Sequence, residues 1–413
     1  MITIFKKWIK TDFFKNISTM MYGNVIGQVI TIASIPILSR LFSPSDFGVY
    51  SIVFTTISIF GYIACMGFDN AIILPDSNSK AFTLLKMGVV LTVIFSMVLL
   101  LISFVLPEKF YYFIGQQTLY KYSWLIGPGV LLLGVNQAFT YWHNRQKNYK
   151  LLSSNKVVQN SSIVTVNITT GAINANPWGL VLGYFVGQLV NISMLVKKAN
   201  FKNFAIKYSE MIVVAKEYRN FPLYMTPMLL INTFSLNILV YLLALYFGTE
   251  TVGQYSQAFK VSNYPLFLIS SSFSIIFYQK LNEIENKQSF YLKSFFLSIF
   301  IGLLVLLPLV FWGKELFSFV LGRKWEEAGL YAAILIPHTV IAFAFTNISE
   351  VFSVLQKNQY FLIWQILYLI IIWLIVILFK SFGIETILFT YSIVSASLYL
   401  VLFYIGYVLL RKN

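Results

Sequence analysis

Charged side chains inside long apolar stretches are the first candidates for a functional site in this sequence. Lys260 lies within the apolar segment 254–279. An ammonium group is costly to bury there, so Lys260 is a candidate for binding an anionic group such as a phosphate. Its side chain is also long enough to extend the charge outward to water. Both interpretations stay open for this residue.

Three more candidates lie at the ends of apolar segments. Arg40 can grip a phosphate with two parallel donors, or it can pair with the neighbouring Asp46 and close the end of its segment. Asp69 and Lys86 follow one another across a short connection, where they can pair at the inner mouth of a cavity. Anchoring at the interface is the alternative for both.

The remaining candidates lie near the inner ends of later segments. Arg145 and Arg219 can recruit a diphosphate electrostatically, or simply carry the positive charge that inner loops favour. Glu350 can exchange a proton if it faces a cavity, with an interfacial position as the alternative. No coupling ion follows from these residues, and a proton or sodium gradient stays open.

Catalytic and metal chemistry is poorly represented. His143 and His338 are the only histidines, and neither has a metal-ligand spacing such as HExxH. The single cysteine, Cys65, excludes an intramolecular disulfide and a thiol metal cluster. No phosphate-cradling GxxxxGK[ST] loop is present. We therefore predict no cofactor, no metal and no enzyme activity.

The amino-acid composition indicates that this chain is embedded in a lipid bilayer. Of 413 residues, 58% are hydrophobic and 11% are charged, against roughly a quarter charged in soluble domains. The formal charge of +15 is concentrated in short connections, which indicates membrane topology rather than nucleic-acid binding. We expect no removable signal peptide in 1–15, which lacks an apolar core.

The hydropathy pattern predicts an all-α membrane protein with about 12 transmembrane helices and both termini cytoplasmic. Lys and Arg are enriched in the segments that this orientation places inside. The predicted spans are 16–39, 47–68, 81–106, 122–143, 151–173, 178–196, 223–247, 254–279, 290–312, 328–355, 361–379 and 384–410.

An internal repeat divides the chain into similar halves. Gly48 and Tyr50 match Gly253 and Tyr255, and a Gln-Lys-Asn triplet recurs in both halves, at nearly the same offset. We predict an N-terminal six-helix lobe (1–196), a cytoplasmic amphipathic linker (197–222) and a C-terminal six-helix lobe (223–413). Six helices return the chain to its starting side, so the lobes should have parallel orientation around a central cavity.

The linker is basic and carries apolar residues that can dip into the membrane interface while its lysines meet anionic lipid headgroups. These residues are Phe201, Phe204, Ile206, Met211 and Ile212. An ordinary solvated linker is the alternative.

Several stretches resemble the polysaccharide-exporter branch of the multidrug/oligosaccharidyl-lipid/polysaccharide (MOP) superfamily, whose O-antigen and capsule members are flippases. They occur in the family's order over most of the chain. The stretches are IPILSRLFSPSDFGVYSIV (35–53), GFDNAIILP (67–75), AKEYRNFPLYMTP (215–227), VGQYSQAFKVSNYPLFLISSSFSIIFYQK (252–280) and WEEAGLYAAILIP (325–337).

This resemblance implies a flippase of the bacterial inner membrane that moves oligosaccharide linked to undecaprenyl diphosphate to the outer leaflet. Membrane lipids, a glycan polymerase and a chain-length regulator are the partners it implies. A drug exporter of the same superfamily is the closest alternative, followed by a major-facilitator transporter. A glycan polymerase is disfavoured because the longest predicted outer loop, 313–327, is too short for a catalytic domain.

Overall fold

The computed structural model describes residues 12–113, 115–199 and 208–412, and every regular element in these ranges is helical. The helices before the second predicted lobe are α1 (Asp12–Leu41), α2 (Pro44–Gly61), α3 (Phe68–Ala71), α4 (Asn78–Val105), α5 (Glu108–Phe113), α6 (Gln117–Tyr120), α7 (Ile126–Arg145), α8 (Tyr149–Asn174), α9 (Pro177–Lys198) and α10 (Tyr208–Glu217). The later helices are α11 (Thr226–Glu283), α12 (Lys287–Leu321), α13 (Glu326–Ile334), α14 (Ile336–Thr346), α15 (Val351–Val354), α16 (Asn358–Phe379) and α17 (Ile384–Lys412).

The chain is a multi-pass membrane protein. Seven of the described helical stretches are long and apolar enough to cross a bilayer, or eight if a bent pair counts as one span. One of them, Phe221–Ser270, would extend about 75 Å as a single helix, more than twice the hydrocarbon thickness. Gly248 breaks it, with φ 83° and ψ −179°, between the seventh and eighth predicted spans.

The structure adds detail to three of the predicted segments. The second span does not continue to residue 68, because α2 ends at Gly61 and turns lead into Gly67 at φ 73°. The tenth span is bent by 57° between 323–334 and 336–354. The predicted outer loop 313–327 is mostly helical, because after a break at Trp312 (φ −130°, ψ 28°) the element continues to the buried Leu321.

Contacts divide the chain into two compact units, one from 1–34 and 52–233 and the other from 35–51 and 234–413. The predicted lobe boundaries at 196 and 223 stay a prediction. Helix α1 therefore contributes to both units, since the division falls within it.

In the first unit, α8 and α9 pack at very short range through small residues. A Cβ on Gly183 would lie 1.8 Å from the Asn167 side-chain oxygen, and one on Gly187 would lie 2.2 Å from Ile163. Close backbone approach of this kind drives helix association where lipid removes the hydrophobic advantage of larger side chains. Buried amides add hydrogen bonds across this unit, such as Asn136 to Gln188 at 2.6 Å.

In the second unit, the helices that follow the repeat cross one another at equivalent residues. A Cβ on Gly48 would lie 1.7 Å from the Thr249 carbonyl oxygen, and one on Gly253 would lie 1.8 Å from the Pro44 carbonyl oxygen. Pro44 and Thr249 occupy the same repeat position, as do the two glycines. The contact is thus reciprocal, as at a local two-fold axis. We call this contact the glycine crossing.

The described part of the predicted linker forms α10, which packs against α4. Val214 is buried in a cluster with residues of α4 and α7, while Ile212 and Val213 are exposed. Lys80 and Glu217 form an ion pair at 2.9 Å across the contact. Phe201, Phe204 and Ile206 lie outside the described residues.

Candidate substrate-binding residues

Lys260 is held against an aromatic ring in the second unit. It lies in the part of α11 that follows the Gly248 break, about 18 Å along the helix axis. Its Nζ lies 5.3 Å from the centroid of the Tyr50 ring, within cation–π range. Across the three described ranges, the one ion pair is Lys80 with Glu217. The ammonium of Lys260 therefore has no carboxylate partner there.

Arg40 and Asp46 do not pair with each other. The Asp46 carboxylate instead accepts hydrogen bonds from the Ser43 backbone N–H at 2.8 Å and from the Ser43 hydroxyl at 2.6 Å. It thus caps the start of α2. The exposed Arg40 donates from Nη2 to the Phe319 carbonyl oxygen at 3.3 Å, which leaves most of its fork of donors available.

Asp69 is buried in the first unit, only 2% exposed, in the short helix α3 outside the long apolar helices. Burial raises the pKa of its carboxyl group to about 6, despite nearby donors of Asn70 that lower it. Lys86 is exposed on α4, and the described residues show no ion pair between the two.

Arg145 fastens the loop that connects α3 to α4. Its guanidinium donates to the carbonyl oxygens of Ile73 at 3.1 Å and Asp76 at 3.2 Å, and its Nε donates to Asn78 Oδ1 at 3.2 Å. A further contact reaches the Ile72 carbonyl oxygen at 3.4 Å. With so many donors engaged, the side chain orders this loop.

The last two candidates lie in non-regular segments. Arg219 is exposed between α10 and a π-helical turn, Phe221–Met225, that precedes α11. Glu350 is half-buried in the turn between α14 and α15. The sequence placed Glu350 in the tenth span near its inner end, and in the structure this turn interrupts the helix there.

Sequence reasoning missed Lys156. It is an exposed lysine of α8, well inside the fifth predicted span, and its Nζ donates to Gln159 Oε1 at 3.2 Å. Because Lys156 is close in sequence to the basic connection before α8, it was assigned to the inner loop. Its helix position was the available signal, because α8 begins at Tyr149 and Lys156 lies two turns further on.

The histidines are part of buried hydrogen-bond networks. His143 Nε2 lies 2.9 Å from the Leu195 carbonyl oxygen, and its Nδ1 lies 3.1 Å from the Asn148 amide. His338 contacts Ser395 and Tyr391. The described residues contain no group of three His, Cys, Asp or Glu side chains arranged to hold a metal ion.

A sequence model of a family described as polysaccharide biosynthesis proteins matches residues 37–329. The chain belongs to this polysaccharide biosynthesis protein family. The match covers both sides of the glycine crossing as well as Lys260 and Tyr50. No curated protein matches the chain.

Solved structures show that this polysaccharide biosynthesis protein has the fold of MOP superfamily transporters. An inward-facing multidrug resistance MATE family transporter has a TM-score of 0.71 at 12% identity, covering 95% of this chain and 99% of that one. A MOP superfamily transporter from Pyrococcus furiosus, described as having a binding pocket of reverse polarity, has a TM-score of 0.60 at 13% identity, covering 96% and 95%. The resemblance drawn from sequence is confirmed in family and fold.

Proposed function

We propose that this protein is a flippase that moves oligosaccharide linked to undecaprenyl diphosphate across the bacterial inner membrane by alternating access. Membership of the polysaccharide biosynthesis family supports a glycan cargo. The proposal includes twelve crossings with cytoplasmic termini, in which α2, α7 and α8 cross together with the more apolar helices and α11 crosses twice around Gly248.

The observation that carries the proposal is the ammonium of Lys260 beside Tyr50. A diphosphate that binds there gains an ion pair without displacing a carboxylate. Lys80 offers no such gain, because it must first release Glu217. Charge-assisted hydrogen bonds to a phosphate contribute about 1.5–3 kcal/mol each.

Aromatic rings near Lys260 suit the rest of the cargo. The Tyr50 ring lies 5.3 Å from Lys260 Nζ, and Tyr264 follows Lys260 by four residues, on the same face of α11. Each tyrosine presents an apolar ring face with a polar hydroxyl. Sugar rings stack on such faces while their hydroxyls hydrogen-bond to polar groups. The same residues thus accommodate a phosphate and its first sugar.

A drug exporter is the second candidate, because MATE transporters share the fold. Recognition of cationic drugs would need an uncompensated carboxylate in place of the ammonium. Asp69 is the one buried acid among the described residues, and it belongs to a short helix between α2 and α4. The membrane-embedded cation favours an anionic cargo.

The deciding experiment deletes the gene in its own host and measures surface glycan together with undecaprenyl-linked intermediates. Loss of glycan with accumulation of complete lipid-linked repeat units is expected. Restoration by the wild-type gene is the control. Unchanged glycan with altered sensitivity to toxic compounds would support the drug exporter instead.

The same experiment separates flipping from polymerisation. A polymerase defect leaves single repeat units on the outer leaflet, where an impermeant glycosidase or lectin reaches them in intact spheroplasts. A flippase defect leaves them on the inner leaflet, protected from that probe. Protected intermediates are expected, and exposed ones would contradict the proposal.

A further inference from the structure

Three basic side chains come together in the second unit. Arg40 lies in the last turn of α1, and Arg323 and Lys324 belong to the short 3-10 turn between α12 and α13. Lys324 Nζ donates to the Arg40 carbonyl oxygen at 3.1 Å, although the two residues are far apart in sequence. All three side chains are exposed. We call these three residues the basic cluster.

The Arg40 side chain runs alongside the end of α12. A Cβ on Gly322 would lie 3.9 Å from Arg40 Cγ, and Arg40 Nη2 donates to the Phe319 carbonyl oxygen at 3.3 Å. Gly322 has φ 107°, a conformation that favours glycine, and the chain turns there after α12. A single hydrogen bond leaves most of the guanidinium donors of Arg40 available for a ligand.

A buried tryptophan fixes the end of α1 to the turn that carries the other two cations. Trp325 is completely buried, and its indole N–H donates to the Ser39 carbonyl oxygen at 2.8 Å. The Ser39 hydroxyl donates in turn to the Leu321 carbonyl oxygen at 3.0 Å. The Phe47 ring packs edge-on against Trp325 with centroids 5.3 Å apart. The residues on either side of the basic cluster are therefore held by interior contacts.

Gln254 of α11 provides a second support. Its side chain is 2% exposed, donates from Nε2 to the Lys324 carbonyl oxygen at 2.7 Å, and accepts from the Ala328 N–H at 3.1 Å. Gln254 directly follows Gly253 of the glycine crossing. The backbone positions of the cations are thus set before any ligand binds, which lowers the entropic cost of binding one.

The neighbouring acids are engaged elsewhere. Asp46 accepts two hydrogen bonds from Ser43, and Glu327 accepts one from Tyr331 at 3.3 Å. Partial burial lowers the pKa of the Lys324 ammonium, and Asp46 only partly opposes that shift. The one ion pair in the described ranges lies in the first unit. The basic cluster therefore holds like charges close together without a paired carboxylate, an arrangement that a bound anion would stabilise.

Phosphate oxygens are the ligands that suit this group of donors. A guanidinium offers parallel N–H donors to two oxygens, and an ammonium adds a point charge. A diphosphate presents two adjacent phosphates, so it can accept from both sides of the cluster at once. A phospholipid with a single phosphodiester has fewer charged oxygens to offer.

The basic cluster is separate from Lys260. Gln254, which supports the cluster, precedes Lys260 by about 9 Å along the axis of α11. In the orientation we propose, the end of α1 and the turn after α12 face the outer leaflet. A lipid diphosphate that has crossed the membrane has its phosphates at that level.

We propose that Arg40, Arg323 and Lys324 form a second phosphate-binding site, which receives the diphosphate of the lipid-linked cargo at the outer leaflet. This inference rests on the proposed function for its cargo. Binding of a diphosphate lipid is measurable without glycan and without export, so the two proposals can fail separately.

The first test measures binding to purified full-length protein in detergent, immobilised on scintillation beads, with radiolabelled undecaprenyl diphosphate as the probe. Lys260→Ala removes the other proposed phosphate contact, and saturable binding should remain in this background. Adding Arg323→Ala and Lys324→Ala should weaken that binding at least about tenfold, since two charge-assisted contacts are lost. Lys314→Ala, at an exposed lysine of α12, is the matched control. Equal binding with and without the two substitutions would overturn the proposal.

A competition experiment identifies the source of the phosphate. We expect phosphatidylglycerol to displace the probe only at about tenfold or greater excess, because it carries a single phosphodiester. Displacement at equal concentration would identify a general phospholipid headgroup site and overturn the assignment to a diphosphate.

A charge-retaining pair separates the role of the cations from that of the turn. Arg323→Lys with Lys324→Arg keeps both charges and should bind the probe within a few-fold of the parent protein. The thermal midpoint of each variant reports its folding. Loss of binding in the neutral and the charge-retaining pairs alike would show that the turn is required rather than its charge, and would also overturn the proposal.

The location of the site is tested in intact spheroplasts. In a Cys65→Ala background, Glu326→Cys places a thiol on an exposed residue beside the basic cluster. A membrane-impermeant maleimide should label it without permeabilisation. Labelling only after permeabilisation would overturn the outer location. A protein that binds the probe through the basic cluster but does not export glycan would refute the proposed cargo alone.

Discussion

At the scale of single residues, partners decide what identical side chains can do. Lys80 and Lys260 both lie in apolar helices. Lys80 forms an ion pair with Glu217, whereas the Lys260 ammonium lies over the Tyr50 ring and has no ion pair among the described residues. Arg145 is likewise committed, because loop carbonyls occupy its donors. Of the residues named from sequence, Lys260 is the best placed to bind an anion.

Lys260→Ala should reduce glycan export about ten- to a hundredfold at normal membrane abundance, because it removes one charge-assisted contact of about 1.5–3 kcal/mol. Lys260→Arg should restore part of the activity. Export is measured as surface glycan and abundance by immunoblot. Arg40→Ala should reduce export as well, since its guanidinium retains free donors. Lys80→Ala is the matched control, and export at wild-type level in Lys260→Ala would remove this residue from the site.

Asp69 predicts a pH dependence of stability. Its folded-state pKa is raised by burial from 3.8 to about 6. The folded protein therefore holds this proton more tightly than the unfolded chain, and the stability gained is present below about pH 4 and lost as pH rises through about 6. Two pKa units correspond to about 3 kcal/mol.

Asp69→Asn should accordingly raise the thermal midpoint at about pH 8 and change it little at about pH 4. The readout is a thermal melt of purified protein in detergent, monitored by size-exclusion chromatography. Asp76→Asn removes the same charge from an exposed position in the adjacent loop and should leave the midpoint unchanged at both pH values. Equal shifts in the two variants would contradict the burial argument.

At the scale of helices, the glycine crossing is the most restrictive contact. Both glycines oppose backbone atoms of the partner helix, which cannot move aside as a side chain can. Other helical stretches are themselves interrupted, at Gly248 and at the bend before Ile336. Regular helices thus alternate with defined breaks.

Gly253→Ala should destabilise the protein by about 1–3 kcal/mol, since the new Cβ would lie 1.8 Å from the Pro44 carbonyl oxygen and force the helices apart. A lowered thermal midpoint is the readout. Gly88→Ala provides the control, because its Cβ would meet Cys65 at an ordinary 3.6 Å and alanine favours the helix. An unchanged midpoint in Gly253→Ala would mean that the crossing is looser than described.

At the scale of the whole molecule, alternating access requires that helices in contact in one state separate in another. In the orientation we propose, the α2 and α11 ends at the glycine crossing face the periplasm, an oxidising compartment where disulfides persist. The single native cysteine makes the chain easy to convert into a cysteine-free background. A disulfide engineered across the glycine crossing can therefore be formed and then reduced.

A disulfide between Ser45→Cys and Thr249→Cys should stop export, and a membrane-permeant reductant should restore it, because the two hydroxyls are only 2.8 Å apart and a bond between cysteines there fixes the crossing. Export of labelled glycan in spheroplasts is the assay. Each single-cysteine variant should export normally with or without reductant. Full export by the cross-linked protein would show that α2 and α11 need not separate here.

The amino-acid sequence by itself determined the helical class, the family and most helix positions. Length and apolar content of each segment are local properties, so spans such as 81–106 and 361–379 agree closely with α4 and α16. The repeat was also readable, since Gly48 and Gly253 are separated by a constant offset. Their mutual contact was not, because hydropathy carries no information about which helices meet.

Tertiary structure alone decided the partners. Lys80 finds Glu217, Asp46 caps its own helix, Arg145 binds a loop, and Lys260 contacts Tyr50. His338 contacts Ser395, which lies far along the chain. Hydropathy averages over a window of neighbouring residues, whereas electrostatic and hydrogen-bond energies depend on distances of a few ångströms between residues remote in sequence. The charged and polar side chains were therefore visible from the sequence, but their roles were not.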